Sequence, residues 1–509
     1  MSIKAFAVFL LAVIVFAAFL HFGYPIRPEG DQLYHFKHAE IYKTNGIFDS
    51  GFRWLPYSAI GKRGADMWYG FHLLLIPFTF FQDQILGLRV AGFFITSLLL
   101  VIFYLALARL GIEKRHVWPF LLMLSGFFAL FHLATVRPHV LSLAFNILAY
   151  SFAITGSMWG IFGASFVASF LHLSLFWATL LILGVFISVK FFLEKTFDWR
   201  IVLFSFGGIM LGWFLRPNPF GAAELVYVQI IELMLAKFKG VPLNFGFELY
   251  PLGWHVFSIF GAFIFLWFLA IFVFARISKK DAVLWSAFSL SVVFFLMTVF
   301  IAQRSFDLWA AFGIIFIAFV YPHTNVLVWG FIPNAKKLGA MALSAAIIIA
   351  LFMAVQSLYK NDQFLKTALW SPYRFQSIAE WLKNNSKDGN VVFNVSWDYF
   401  PELFFWNTKN FYIGGMDPIF QYDYDQELYW KAYYLETGKT TRFTCAAVAC
   451  EEKDFKDTYA VLKNDFGAKY LVLDKNYDTA LYRYFAGDSR FALKDENQNA
   501  ALFELRFDF

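Results

Sequence analysis

Two neighbouring segments near the start of the chain indicate the class of fold. Residues 3–22 read IKAFAVFLLAVIVFAAFLHF, and residues 31–46 read DQLYHFKHAEIYKTNG. The first segment is apolar over about the 20 residues that a helix needs to cross a bilayer. The second begins with a good helix N-cap, Asp31, and ends with a good helix stop, Asn45-Gly46. A membrane span leading into an ordered polar helix predicts a membrane protein with a structured loop outside the lipid.

The composition of the whole chain supports this class. Of its 509 residues, 60% are hydrophobic and only 15% are charged, against roughly 45–50% and 25% in soluble globular domains. Mean hydropathy is +0.58. These values exclude a disordered chain, a collagen, a coiled coil and an ordinary cytosolic enzyme.

Charge divides the chain into two parts. Residues 360–509 carry 18 basic and 22 acidic residues, a net charge of −4, which leaves 24 basic and 14 acidic residues, a net charge of +10, before them. We therefore predict a membrane domain over residues 1–358, with a first outer loop at 23–84, and an α/β domain over residues 359–509. The overall charge of +6 belongs to membrane loops and predicts no nucleic-acid partner.

Hydropathy predicts about eleven membrane spans. They cover residues 3–22, 85–109, 117–135, 139–155, 158–174, 175–193, 201–215, 254–276, 282–302, 307–323 and 338–357. The apolar run at 69–81 is shorter and contains Pro77, which indicates an interfacial helix.

The basic loops give the orientation. With Lys4 in the cytoplasm and one crossing at each span, the basic clusters near Lys114, Lys190, Lys279 and Lys336 all fall inside, as the positive-inside rule requires. The first segment lacks a clear cleavage site and is expected to stay as an anchor. An odd number of spans then places the C-terminal domain outside the cytoplasm. A bacterial inner membrane, with a periplasmic C-terminal domain, fits these short loops.

The helix predicted over residues 31–46 carries ionisable groups on one face. Asp31, His35, His38 and Tyr42 follow the spacing of one helical face. A carboxylate and two imidazoles can act as a general base with helpers, or bind a metal through oxygen and nitrogen. The alternative is a capping Asp with two interfacial His.

Cations follow the outward ends of three spans. They lie in the stretches Arg137-Pro138-His139 and Arg216-Pro217-Asn218 and at Arg304. Because guanidinium groups bind phosphate oxygens in a bidentate manner, these residues are candidates for holding the phosphate of a lipid. Contact with lipid head groups is the alternative for each of them.

The first outer loop resembles that of the GT-C superfamily, the membrane glycosyltransferases that use polyprenyl-phosphate-linked sugars. The resemblance rests on Asp31 in DQLYHFKHAEIYKTNG and on the following phrase GADMWYGFHLLLIPF. It implies that Asp31 is the catalytic Asp. Gln32 occupies the place of a second acid, and no acidic motif occurs around residues 135–139. A divalent cation therefore stays open as a cofactor, and no metal ligand is assigned.

The C-terminal domain is distantly similar to oligosaccharyltransferase catalytic subunits. Trp397-Asp398-Tyr399 follows the strand-like residues 391–395, as a WWDYG signature follows a strand in those enzymes. Ser396 and Phe400 replace its first Trp and its Gly. The resemblance implies that residues 397–399 contact the acceptor. The overall layout is also similar to that of protein mannosyltransferase and aminoarabinose transferase-like enzymes.

The function expected from this resemblance is inverting glycosyl transfer. The donor would be a polyprenyl phosphate or diphosphate sugar, and the acceptor a glycan, lipid or protein outside the cytoplasmic membrane. Asp31 would be the base, Arg137, His139, Arg216 and Arg304 would bind the donor phosphate, and His35, His38 and Tyr42 would assist. A flippase, a transporter or a noncatalytic scaffold for lipid-linked glycans is the alternative. Cys445 and Cys450, the two cysteines, lie close enough in sequence for a local disulfide outside the cytoplasm.

Overall fold

The computed structural model describes residues 3–25, 30–49, 51–253, 261–324, 336–366 and 371–506. Its backbone is mostly helical and forms two compact units, each made of separate stretches of chain. Unit 1 contains Met1–Pro25, Phe81–Phe214 and Phe247–Ala368, and unit 2 contains Ile26–Phe80, Leu215–Gly246 and Leu369–Phe509. Most of the first outer loop is thus grouped with the C-terminal part of the chain. The sequence had instead predicted that this loop belongs with the membrane domain over residues 1–358.

Unit 1 consists of apolar helices that follow the predicted spans. The α-helices of four or more residues are Ile3–Phe22, Gln84–Arg109, Leu121–Leu124, Phe127–Leu133, Pro138–Ile154, Met158–Leu171, Phe176–Glu194, Trp199–Phe214, Gly261–Arg276, Ala282–Phe300, Phe306–Val320 and Lys336–Lys366. The third predicted span is broken at Gly126, whose φ of 136° favours glycine. The start of the eighth predicted span, residues 254–260, lies outside the described residues.

Six helices in the described residues have the length and hydropathy of a membrane span. They are Lys4–Phe22, Gln84–Arg109, Leu173–Glu194, Pro219–Phe238, Ala282–Phe300 and Gln303–His323. Shorter apolar helices accompany them, so the protein has the character of a multi-pass membrane protein. The count of eleven spans stays a prediction. Pro219–Phe238, which belongs to unit 2, lies where the sequence predicted an outer loop.

Close helix contacts in unit 1 depend on small residues. A side chain at Gly208 or Gly212 would meet the carbonyl oxygens of Phe162 or Phe166 at 2.3 and 2.7 Å, so these two glycines let Trp199–Phe214 approach Met158–Leu171. Small residues at helix contacts are common in membrane bundles. Phe306–Val320 is almost entirely buried, and its Trp309 packs against aromatic rings of neighbouring helices. The beginning of this helix is therefore held firmly.

Unit 2 is built around a mixed five-stranded sheet. The strands of the unit are β1 (Val391–Asn394), β2 (Phe411–Tyr412), β3 (Phe443–Thr444), β4 (Lys456–Asp457), β5 (Ala468–Asp474), β6 (Phe491–Glu496) and β7 (Ala500–Leu505). The main sheet has the order β2-β1-β5-β7-β6. Strand β1 runs parallel to its neighbours β2 and β5, and strand β7 runs antiparallel to its neighbours β5 and β6. Strands β3 and β4 form a separate pair. The predicted α/β character of the C-terminal part is confirmed.

The α-helices of unit 2 cover the sheet and form the first outer loop. Those of four or more residues are Gly30–Asn45, Ala59–Arg63, Tyr69–Leu75, Pro219–Tyr227, Leu233–Phe238, Gln376–Asn385, Phe400–Trp406, Pro418–Tyr424, Gln426–Glu436 and Thr479–Gly487. Gly46 follows the first of them with a φ of 102°, as the predicted stop requires. The prediction that Asp31 caps this helix was wrong, because Gly30 already begins it and Asp31 lies in its first turn.

The outer loop is attached to the C-terminal residues by hydrogen bonds and aromatic packing within unit 2. The Trp54 indole N–H donates to the Thr408 carbonyl oxygen at 2.6 Å, and the Trp54 carbonyl oxygen accepts from the Tyr412 N–H at 2.8 Å. Tyr34 of Gly30–Asn45 packs against Phe400 and Phe404. Phe400 replaces the Gly of the signature, and its ring contributes to this packing. The helix Gly30–Asn45 is therefore held in place by residues that follow β1 in unit 2.

Candidate functional site

The first cluster of ionisable groups forms around Asp66 in unit 2. The Asp66 Oδ2 accepts from the Tyr42 hydroxyl at 2.9 Å and from the His72 Nδ1–H at 2.6 Å, and the His72 Nε2 lies 2.8 Å from the His35 Nδ1. The His38 ring stacks on His72 with centroids 4.3 Å apart. We call these five residues, His35, His38, Tyr42, Asp66 and His72, the Asp66 cluster. All five are buried.

Burial, neighbouring imidazoles and hydrogen bonds together set the charge of the Asp66 cluster. Burial alone would raise the pKa of Asp66, but His72, His38 and the hydrogen bonds from His72 and the Trp68 N–H outweigh it, so the pKa lies below its usual range. Burial lowers the pKa of His38 to about 3. Burial and the Asp66 carboxylate raise the pKa of Tyr42. The cluster therefore holds one carboxylate together with a neutral His38 and a neutral Tyr42.

The predicted helpers of Asp31 belong to this cluster. His35, His38 and Tyr42 lie on Gly30–Asn45 as predicted, but the carboxylate that Tyr42 and His72 contact is Asp66. Asp31 itself lies in the first turn of that helix and is partly accessible. Arg216 belongs to the same unit, where its guanidinium donates to the Asp66 carbonyl oxygen at 2.9 Å. Burial lowers the pKa of Arg216 to about 10.

Asp66 and His72 were not predicted as site residues, although both occur in the phrase GADMWYGFHLLLIPF. Asp66 accepts a hydrogen bond from the Trp68 N–H at 2.8 Å, just before Tyr69–Leu75 begins. Aspartate favours such helix starts. The signal was therefore a helix-start Asp followed by a His six residues later. Only the fold shows that Tyr42 contacts the same carboxylate.

The second cluster forms around Asp307 in unit 1. The Asp307 Oδ2 accepts from the His132 Nδ1–H at 2.6 Å and lies 3.4 Å from the His139 Nε2. The His132 Nε2 lies 3.6 Å from the Glu248 Oε2. Arg137 and Arg304 approach Glu248. We call these six residues, His132, Arg137, His139, Glu248, Arg304 and Asp307, the Asp307 cluster.

Glu248 connects the two arginines of this cluster. Its Oε2 accepts from the Arg137 guanidinium at 3.0 Å, and its Oε1 lies 3.4 Å from the Arg304 guanidinium. Burial alone would raise the pKa of Glu248, but Arg137, Arg304 and His132 outweigh it and hold the pKa well below its usual range. An ionised carboxylate therefore occupies the space between two guanidinium groups, where a phosphate oxygen would find the same partners.

The predicted phosphate-binding residues are thus divided between the units. Arg137, His139 and Arg304 share the Asp307 cluster of unit 1, whereas Arg216 lies beside Asp66 in unit 2. Glu248 and Asp307 were not among the predicted binding residues.

The predicted acceptor motif, Trp397-Asp398-Tyr399, has contacts of its own in unit 2. The Trp397 indole N–H donates to the Asn244 carbonyl oxygen at 3.1 Å, and the Tyr399 hydroxyl donates to the Asp478 carboxylate at 2.8 Å. Tyr399 is buried, whereas Trp397 and Asp398 are partly accessible. An acceptor contact therefore stays a prediction for the three residues, with Trp397 and Asp398 the more accessible. Cys445 and Cys450 are joined in a disulfide.

Comparisons of the fold with solved structures decide the architectural class. ArnT from Cupriavidus metallidurans in the apo state matches with a TM-score of 0.53 and 11% sequence identity, over 98% of this chain and 98% of that one. The same protein bound to undecaprenyl phosphate matches with a TM-score of 0.54 and 11% identity, over 99% and 98% of the two chains. ArnT is a membrane glycosyltransferase of the GT-C type.

The arabinofuranosyltransferase AftD from Mycobacteria gives a TM-score of 0.59 at 12% identity. The match covers 99% of this chain but only 42% of the AftD chain. The chain has the GT-C fold. The resemblance to the GT-C superfamily, which was inferred from the first outer loop, is confirmed for the fold. No family profile and no curated protein sequence matches the chain. At such low identity the GT-C fold is shown by backbone geometry alone.

Proposed function

We propose that the protein is an inverting glycosyltransferase. It transfers a sugar from a polyprenyl phosphate or diphosphate to an acceptor outside the cytoplasmic membrane. One observation carries the proposal: the fold matches over 99% of the chain that of ArnT bound to undecaprenyl phosphate. The mixed α/β unit and the ordered first outer loop are part of that match, and a transporter needs neither. We place the protein in the inner membrane, with its C-terminal domain in the periplasm.

Asp31 is the proposed general base. It removes the proton of the acceptor hydroxyl or amide while the acceptor oxygen or nitrogen attacks the anomeric carbon. The bond from that carbon to the donor phosphate oxygen breaks, and a single displacement inverts the configuration. Two observations support Asp31 over Asp66. Asp31 is partly accessible, whereas Asp66 is buried and already accepts hydrogen bonds from three donors.

The arginines of the Asp307 cluster are the proposed ligands of the donor phosphate. The leaving phosphate carries negative charge, so it requires fixed positive groups more than a proton. Arg137 and Arg304 already hold a carboxylate between them, and His139 lies beside Asp307. We assign Arg216 to the donor as well. The hydrogen bond from the Arg216 guanidinium to the Asp66 carbonyl oxygen also helps to hold the first outer loop.

In the same proposal Trp397 and Asp398 contact the acceptor, and His35, His38 and Tyr42 support the loop that carries Asp31. Tyr399 fixes the motif by donating a hydrogen bond to Asp478. The partners are the lipid-linked donor, the surrounding membrane lipid and a glycan, lipid or protein acceptor.

A reconstituted assay tests the function. The full chain is placed in proteoliposomes with undecaprenyl-phosphate-linked sugars and an extract of periplasmic acceptors, and mass spectrometry follows the release of undecaprenyl phosphate. Asp31→Asn should lower the rate by about 10²–10⁴-fold, the usual contribution of a general base. Asp49→Asn is the matched control, because Asp49 is an exposed acid in the same loop. Equal rates for Asp31→Asn and the unchanged protein would refute the base assignment.

The same proteoliposomes distinguish the alternative function. A flippase or transporter would move the lipid-linked sugar across the bilayer without releasing free undecaprenyl phosphate. Transbilayer movement with no release would therefore replace the glycosyltransferase proposal by that alternative.

A further inference from the structure

We propose that the Asp307 cluster binds one divalent transition ion of the Zn²⁺ type, held by His132, His139 and Asp307. One potential ligand atom from each of these residues lies within 4.8 Å of the others. Two imidazoles and a carboxylate are the donor set that zinc and its first-row neighbours prefer, whereas Mg²⁺ and Ca²⁺ prefer oxygen alone. The inference does not depend on the proposed glycosyl transfer.

Unsatisfied buried atoms point to a missing ligand. His139 and Asp307 are 6% and 8% exposed. The His139 Nδ1 and the Asp307 Oδ1 are buried with no hydrogen-bond partner, and the His139 Nε2 has only the Asp307 oxygen at 3.4 Å. Buried polar atoms without partners are rare in native proteins, and each requires an explanation. A bound cation satisfies an imidazole nitrogen and a carboxylate oxygen at once.

A small cavity lies beside these atoms. It has a volume of about 20 Å³, and its lining includes His132, His139 and Asp307 together with apolar side chains. This volume is enough for one ion or one water. The rest of the lining is leucine, valine and alanine. The three side chains also come from separate helices, whose ends hold them in place.

The charge around the cavity is compatible with a cation. Asp307 contributes a negative charge directly, and Glu248 lies 3.6 Å from the His132 Nε2. Arg137 and Arg304 form ion pairs with Glu248. A divalent ion there would add positive charge to the group of residues that we assign to the donor phosphate.

The Asp66 cluster provides an internal contrast. His38, Asp66 and His72 also lie within 4.8 Å of one another. Their hydrogen bonds are already complete, however: the Asp66 carboxylate accepts from three donors, and both nitrogens of His72 lie within hydrogen-bond distance of a partner. An ion would have to break several of these bonds, whereas in the Asp307 cluster it would replace the one from His132 to Asp307. We therefore assign the ion to the Asp307 cluster alone.

Metal analysis of the purified full chain tests this inference without an activity assay. The protein is dialysed against a chelator, reloaded with Zn²⁺ and desalted, and its zinc is measured by inductively coupled plasma mass spectrometry. We expect about one zinc per chain, because the three residues form a single site. His139→Gln and Asp307→Asn should each weaken Zn²⁺ binding at least tenfold in competition with a fluorescent chelator, and His38→Gln should not.

A replacement ligand separates loss of a ligand from loss of folding. His139→Cys offers a thiolate, and it would be the only free thiol because the two natural cysteines form a disulfide. This variant should keep Zn²⁺ and, when loaded with Co²⁺, should show the absorption of a cobalt thiolate. Absence of zinc in the reloaded wild-type protein, or unchanged binding in both His139→Gln and Asp307→Asn, would overturn the inference. Loss of the ion in His38→Gln alone would move it to the Asp66 cluster.

Discussion

The Asp66 cluster and the Asp307 cluster share an aspartate and a pair of imidazoles, but they differ in how completely these groups are hydrogen-bonded. Each has a carboxylate 2.6 Å from an imidazole nitrogen and a second imidazole nearby. In the Asp66 cluster no buried polar side-chain atom of its five residues lacks a hydrogen-bond partner. In the Asp307 cluster, His139 and Asp307 retain atoms without one.

This difference separates a structural network from a binding site. A complete buried network holds its members in one geometry, whereas unsatisfied buried groups cost free energy until a ligand arrives. We infer that the Asp66 cluster fixes the first outer loop and the helix that carries Asp31. The Asp307 cluster is instead prepared for a ligand. Removal of a side chain should therefore affect stability in the first cluster and binding in the second.

The largest expected effect is on stability at Asp66. Asp66→Asn removes the charge that three donors share and leaves an amide N–H facing one of them, so we expect a loss of about 3–5 kcal/mol, as for other broken buried charge networks. Thermal unfolding followed by tryptophan fluorescence measures it in detergent. Asp49→Asn, an exposed acid of the same loop, is the control. An unchanged melting temperature for Asp66→Asn would contradict the structural role of the Asp66 cluster.

The second effect is a pH dependence that comes from His38. Burial lowers its pKa from about 6.5 to about 3, so the unfolded chain binds a proton below pH 6.5 that the folded chain does not. Stability is then complete above that pH and falls as the pH decreases, by about 1.4 kcal/mol per pH unit and about 2 kcal/mol by pH 5. His38→Gln, which does not titrate, should show a smaller loss between pH 7 and pH 5. Equal losses in both proteins would contradict the prediction.

The sequence predicted the membrane class and the positions of most helices of unit 1. Long apolar segments gave helices close to the predicted spans, because hydrocarbon thickness imposes a length that hydropathy detects directly. Turn chemistry also predicted the end of Gly30–Asn45 at Asn45. The breaking of the third span was not predicted, and neither was the apolar helix Pro219–Phe238 in a predicted outer loop.

The clusters were harder to predict because their members are far apart in sequence. Helical spacing placed His35, His38 and Tyr42 on one helix, but it could not show that Asp66 is the carboxylate they surround. Arg137 and His139 were found from their position beside Pro138. Glu248 gave no comparable signal, since it lies in a short helical turn with no flanking pattern. Its role depends on tertiary contacts with Arg137 and Arg304.

The third effect is on donor binding and concerns Glu248. This prediction rests on the proposed function: a donor phosphate must compete with the Glu248 carboxylate for Arg137 and Arg304. Glu248→Gln removes the competing charge, so undecaprenyl phosphate should bind about tenfold more tightly in nanodiscs, equivalent to about 1.4 kcal/mol. Glu224→Gln is the control, because Glu224 is an exposed acid paired with Arg63 in the other unit. Weaker binding by Glu248→Gln would show that Glu248 positions the arginines.

The smallest expected effect is on the stability of the metal-free protein, and it has the opposite sign from the effect of Asp66→Asn. In chelator-treated protein, His139→Leu replaces an imidazole with unsatisfied nitrogens by an apolar side chain beside Leu133, Val140 and Leu143. Because the unsatisfied atoms disappear, the metal-free variant should be as stable as the parent or more stable by about 1 kcal/mol. Added Zn²⁺ should raise the melting temperature of the parent and leave that of His139→Leu unchanged. A metal-free His139→Leu that is several kcal/mol less stable would mean that His139, like the members of the Asp66 cluster, already belongs to a complete network, and the contrast between the two clusters would fail.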